Sequence, residues 1–379
     1  MSDDEIPEAD RAEGAPHPRM TEDVLGQDAA ETQVLDALSG GRVHHAWLLT
    51  GPEGVGKATF GWHVARYMLA TPVGDDGGLF GDAPPAPTSL RVDPENPVAR
   101  RVTALSEPRL FLLRRAWDPD KKKLKTQIGV DDVRKMKSFF SLSAAEGGRR
   151  VALIDSADDL TIAAANALLK VLEEPPKDAV LILISHSPSK LLPTIRSRCR
   201  QVRLSSLDPD TLANVVRNAG IEAPDAERLA ALADGSAGDA IRLINLDGVT
   251  LYAKLIETLA TAPSMQRSRM LAMIEPMAAR GAEEKLRLFV RLIELCLARM
   301  ARSGAGAPIA FEGARGEREV FAKLSPTPHA ARAWANLQQE VAARASHAMA
   351  VNIDPHQMLL DIFVRIDQTA SDLTAPALP

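Results

Sequence analysis

Cysteine is nearly absent: Cys199 and Cys296 are the two in 379 residues, too few for a disulfide framework or a four-cysteine zinc site. Aromatic residues are scarce as well, at 4%, so the core is expected to be aliphatic. No apolar run approaches the roughly 20 residues a membrane helix needs. The acidic start MSDDEIPEADRAEG lacks the basic and apolar regions of a secretory signal, and a cytoplasmic protein is expected. Positive charge is not in excess either. A formal net charge of -5 and a pI near 6.0 exclude a protein that coats nucleic acid by bulk charge, leaving only local basic patches for such contacts.

What is present is ordinary globular composition, 45% hydrophobic and 25% charged, in a chain long enough for two or three domains. The most informative stretch runs from Val151 to Cys199. It reads as an apolar strand closing on Asp155, a helix capped by Thr161 and stopped at Pro175-Pro176, a second strand over Val180–Ser185, and a turn ending Ser197-Arg198-Cys199. A continuous apolar run is the mark of a parallel strand buried on both faces, with only its carboxyl end reaching a ligand site, so Asp155 is a candidate. Five strands are expected, at 46–50, 110–114, 151–155, 180–185 and about 201–204. Alternation with helices makes them one parallel sheet flanked on both faces, an α/β core.

Strand 46–50 runs into Gly51-Pro52-Glu53-Gly54-Val55-Gly56-Lys57 and then a helical pattern, the context a phosphate loop requires. Glycines let backbone N–H groups converge on a phosphate, the helix N-terminus adds positive potential, and Lys57 supplies a point charge. The residue that normally ligates Mg²⁺ through a hydroxyl is Ala58 here, with Thr59 one place later, and one helical residue turns a side chain by about 100°. Gly51, Gly54, Gly56, Lys57, Thr59 and Asp155 thus form a candidate site for ATP or ADP with Mg²⁺. A loop that keeps its shape as a scaffold after losing its ligand is the competing reading.

Outside that core, residues 1–22 lack periodicity and are expected to be a disordered tail, and 373–379 a second tail. Residues 71–109, rich in Gly, Pro and Asp, look like a surface insertion. Lys121, Lys122, Lys123 and Lys125 read as a solvated turn in preference to a phosphate contact. After residue 206 only helices are expected: a small helical domain over 207–248 and a bundle over 249–372, whose default role is interaction. Glu173 and Glu174 end a helix where negative charge opposes the dipole; they are either a solvated end or a contact for a basic neighbour.

The phosphate loop at 51–57, the strand ending at Asp155 and PTIRSRC at 193–199, in this order, resemble the AAA+ clamp-loader family of replication; HHAWLLTGPEGVGKAT, VDDVR, ANALLKVLEEPP and LLPTIRSRC carry the likeness. The resemblance covers residues 22–246 strongly and the C-terminal helices weakly. It implies an AAA+ core at 23–206, a small helical lid and a helical collar that oligomerises. It also implies a place in DNA polymerase III, with tau/gamma motor subunits, a delta subunit, the sliding clamp and primed DNA as partners. In the family, the arginine of Ser-Arg-Cys reaches ATP held by a neighbouring motor subunit, and Arg198 matches it; local pairing with a carboxylate such as Asp155 is the alternative. Three departures speak against hydrolysis by this chain: Ala58, Asp155-Ser156 where motors carry Asp-Glu, and Gly238 where they carry a phosphate-binding arginine. The family's zinc cysteines are missing from 71–109, so no zinc is expected. A stator-like subunit is therefore implied, and the alternative is an ATPase acting in its own site through Lys57 and Asp155.

Overall fold

Four apolar runs and a short polar edge strand, Arg200–Arg203, pair into one parallel sheet. The structure, a computed structural model, describes residues 7–39, 43–72, 87–141, 147–223 and 225–374. In chain order the first unit contains α1 (Asp28–Ser39), β1 (Ala46–Thr50), α2 (Lys57–Ala70), α3 (Pro97–Thr103), β2 (Leu110–Arg114), a small hairpin of β3 (Trp117–Asp118) and β4 (Lys123–Leu124), and α4 (Val130–Ser141). It continues with β5 (Arg150–Asp155), α5 (Ile162–Glu173), β6 (Ala179–Ser185), α6 (Pro193–Arg198), β7 (Arg200–Arg203) and α7 (Pro209–Asn218). Strand order is β2-β5-β6-β1-β7, every neighbour parallel. This is the five-stranded parallel α/β core that the alternation of strands and helices in the sequence predicts.

Alternation along each strand feeds two cores. Trp47, Leu49, Leu153 and Ile182 point to one face, where they meet Val34 of α1 and Trp62, Val64 and Met68 of α2. Ala46, Leu48, Ile154, Leu181 and Leu183 point to the other, against Val133 and Met136 of α4 and Leu168 of α5. Burial on both faces is why β1, β5 and β6 read as unbroken apolar runs.

Two expectations are corrected. The stretch 71–109 is not all surface: residues 73–86 lie outside the described residues, but Leu90 and Val102 are fully buried in the core beside α2. Its polar composition conceals a few well-spaced apolar side chains. Nor is 7–22 a free tail. Glu8 and Asp10 bind Arg114 at the end of β2, with Arg114 Nη2 2.7 Å from Glu8 Oε1. Arg19 pairs with Glu8 at 2.8 Å, Arg66 Nη2 donates to the Arg19 carbonyl at 2.7 Å, and the His17 ring meets Trp62 edge-on at 5.8 Å. Composition measures apolar content, and this segment is fastened by charge. Burial opposes ionisation of Asp10, yet His17 and Arg114 hold its carboxyl below the usual range. Arg114→Ala would leave the buried Asp10 carboxylate with His17 alone of the two groups that hold it, at a cost of at most about 3–5 kcal/mol. The expected outcome is release of the segment, seen as rapid trimming of the first 20 or so residues in limited proteolysis while the wild type resists; equal resistance refutes the fastening.

In the second unit, residues 221–234 and 239 onward, the elements among the described residues are all helices: α8 (Ala226–Ala233), α9 (Ala237–Asn245, whose first residues group with the sheet unit), α10 (Gly248–Leu259), α11 (Arg267–Ala278), α12 (Glu283–Gly304), α13 (Glu317–Leu324), α14 (Pro328–Ala350) and α15 (Pro355–Thr374). Phe289, Leu297, Trp334 and Phe363 form its interior. Among the described residues, no helix is long and apolar enough to cross a membrane.

Candidate functional site

The loop between β1 and α2 has a phosphate cradle's backbone. Gly51 has φ 145° and Gly54 φ 74°, conformations that favour glycine. A Cβ at Gly51 would stand 2.4 Å from the Leu204 carbonyl oxygen, and one at Gly54 would stand 2.2 Å from Ser236 Oγ. Gly56 precedes the first turn of α2, so the loop's amides and the helix N-terminus share one locus. Lys57, 3% exposed, turns its Nζ back to the carbonyls of Gly51, at 2.8 Å, and Pro52. Burial pulls its pKa down to about 8, against the attraction of Glu53 and Asp155. Thr59 is half-buried one residue beyond Ala58, and Ala58 packs against the core.

Gly238 accounts for the missing arginine. Its N–H donates to the Gly54 carbonyl at 3.0 Å, and a Cβ there would lie 3.0 Å from Gly54 Cα. No side chain fits that contact without displacing backbone. Where a phosphate-binding arginine is expected in a motor, this chain clasps its own loop.

Asp155 ends β5 in register with Arg114 of β2, at the carboxyl edge of the sheet. Burial, then the carboxylates of Asp10 and Asp159, push its pKa up to about 7, with Lys57 and Arg114 opposing. The folded chain thus keeps this proton between about pH 3.8 and 7, where the unfolded chain has lost it. Stability from this group is full below pH 3.8 and fades as pH rises through 7. The expected slope is at most about 1.4 kcal/mol per pH unit. Asp155→Asn should flatten it, giving a larger gain in urea midpoint at pH 8 than at pH 5; parallel pH profiles would refute the shift. Asp158, one turn on, accepts from Ser185 Oγ at 2.9 Å and the His186 N–H at 2.6 Å, and so ties down the loop after β6.

The loop has the positive-φ glycines that a phosphate loop uses, whereas Ala58 and Ser156 supply neither the hydroxyl nor the carboxylate of a hydrolytic metal site. A nucleotide, when bound, would offer its phosphates to the loop amides and Lys57.

Arg198 is elsewhere. It ends α6 two residues before β7, whose Arg200 aligns with Trp47 near the start of β1. In a parallel sheet that is the amino edge, opposite the loop and Asp155, with strands of about 3.3 Å per residue between. Pairing with Asp155 does not occur: Arg198 Nη2 lies 2.9 Å from Glu173 Oε1, and Nη1 donates to the Thr194 carbonyl at 3.1 Å. The guanidinium side chain remains 36% exposed. Cys199 beside it is buried and its thiol is pushed up to about 12, so it packs the turn and does not react. The sequence left Glu173 and Glu174 as either a solvated helix end or a contact for a basic neighbour, without naming Arg198, and it gave no hint of Asp10 or Glu8 beside the Asp155 end of the sheet. His44 and His45 stack at 4.7 Å, and His45 Nε2 bonds the Leu172 carbonyl at 3.1 Å, a packing role.

A family model described as DNA polymerase III, delta subunit, matches residues 26–208. DNA polymerase III subunit delta' of Pseudomonas aeruginosa is 39% identical over 171 residues, 45% of this chain and 46% of that protein. The delta' subunit of Bacillus subtilis is 28% identical over 54% of this chain and 55% of its own length. Subunit tau of Escherichia coli is 30% identical over 70% of this chain and 41% of its own. The chain spans about half the length of the delta' relatives it matches. Residues 26–208, with their glycine-built loop and a parallel sheet in the order 2-5-6-1-7, are similar to delta and delta' subunits of DNA polymerase III.

Proposed function

We propose that the chain is a stator-like subunit of a cytoplasmic clamp loader. It assembles with tau/gamma motor subunits and a delta subunit to load the sliding clamp onto primed DNA, and it presents Arg198 in trans to ATP held by a neighbouring motor subunit. The observation that carries this reading is the position of Arg198: partly exposed, and on the sheet edge opposite the chain's own phosphate loop. A guanidinium there is too far from that loop to serve it and is free to serve another chain's. It is planar, cannot deprotonate at working pH, and matches charge spread over phosphate oxygens.

Hydrolysis in the chain's own site has little support. Lys57 Nζ is engaged by loop carbonyls, Gly238 stands in for the phosphate-binding arginine, and water positioning and metal ligation lack their side chains. ATP or ADP remains a permitted occupant of the cradle, and no step of the proposed function depends on it. The test is Arg198→Ala in an assembly reconstituted with motor subunits: ATP turnover falls while the assembly stays intact. Unchanged turnover overturns the reading.

A further inference from the structure

We propose that Glu173 is a positioning residue for Arg198, holding the guanidinium on its own subunit until a phosphate competes for it. The inference rests on the trans role given to Arg198 above and adds the group that restrains it.

Arg198 is oriented but not saturated. Glu173 Oε1 engages Nη2 at 2.9 Å and the Thr194 carbonyl engages Nη1 at 3.1 Å, two anchors for a group with five N–H donors. The remaining donors suffice for a bidentate contact with phosphate. The restraint is also weak enough to yield. With side chains 36% and 48% exposed, the pair is a surface ion pair, and such pairs bias an equilibrium by about two- to five-fold. Neither charge is stranded in the interior when they part.

Glu173 has somewhere to turn afterwards. Lys137 and Lys170 line the same cavity as Glu173 and Glu174, together with Phe140 and Val171, and Lys170 stands one helical turn before Glu173. The helix itself does not call for the residue, because a carboxylate at the end of α5 opposes the helix dipole. What it gains there is Arg198, whose charge answers both the carboxylate and the helix end. The pair therefore has two arrangements close in free energy: Arg198 on Glu173, or Arg198 on an incoming phosphate with Glu173 facing lysines.

The experiment is Glu173→Gln, which keeps size and removes charge, in the reconstituted assembly with ATP. Basal turnover, measured without clamp or DNA, is expected to rise two- to five-fold, while the maximum rate with clamp and primed DNA stays unchanged. A merely structural residue would lower both rates together. In the double variant with Arg198→Ala the gain should vanish. If Arg198→Ala abolishes turnover but Glu173→Gln leaves the basal rate unchanged or lower, the restraint is refuted and the trans role stands. If Arg198→Ala has no effect, both fall.

Discussion

Replacing Arg198 with alanine is expected to slow ATP hydrolysis about 10³-fold or more at the site it faces, within an assembly that still forms. Fingers supplied in trans are worth about 10³–10⁵ in rate, because transition-state charge on the phosphoryl oxygens meets a fixed cation in a water-poor interface. The assembly should survive because Arg198 is partly exposed and its Glu173 contact is a surface pair worth at most about 1 kcal/mol. Arg198→Lys separates charge from geometry. It keeps a cation but loses the planar fork, so only partial recovery is expected. Single-turnover hydrolysis at saturating ATP reads the effect, and gel filtration of the same sample reads assembly. Loss of rate only in proportion to lost complex would reassign Arg198 to structure.

Glu317→Ala should have the largest effect on folding, in the helical unit. Glu317 is fully buried and accepts from Arg299 Nε at 2.8 Å and Nη2 at 3.0 Å, from the Tyr252 hydroxyl at 2.5 Å and from the Gly313 N–H at 2.6 Å. One carboxylate thus joins α10, α12, α13 and the loop before α13. Burial and then the neighbouring Cys296 and Glu317 push the Tyr252 hydroxyl well above its ordinary range, so it stays a donor. Removing the acceptor strands the Arg299 guanidinium, itself 6% exposed, and breaking a buried pair in this way costs about 3–5 kcal/mol. For a unit of this size that is a fall in melting temperature on the order of 10 °C. Replacing Arg299 and Glu317 together by apolar residues of similar volume should restore much of it, since no lone charge remains. A change of under about 1 kcal/mol in the single variant would refute the account.

Which parts of this molecule were legible in its sequence follows from the range of the forces involved. The sheet was readable because β1, β5 and β6 are buried on both faces, and continuous burial writes itself as an apolar run. The loop was readable because positive φ at Gly51 and Gly54 demands glycine at fixed spacing. Arg198 was found through a motif, not through any property of arginine. Partners distant in the chain were not legible: Glu8 and Asp10 reach Arg114 across about a hundred positions, and Glu173 meets Arg198 across a strand and a loop. Helix α13 is faint in the sequence for a related reason. Its eight residues carry too few apolar repeats, and it is fixed by the buried carboxylate of Glu317.

The clasp between Gly238 and Gly54 bears on how this chain could respond to ATP. A ligand moves a conformational equilibrium only by the difference in its affinity for the two states. Here the backbone amide of Gly238 holds the Gly54 carbonyl, so a nucleotide that binds while leaving this bond intact would have equal affinity for the clasped loop before and after. Occupancy would register as added resistance to unfolding, growing with the logarithm of nucleotide concentration, and would carry no message to the rest of the chain.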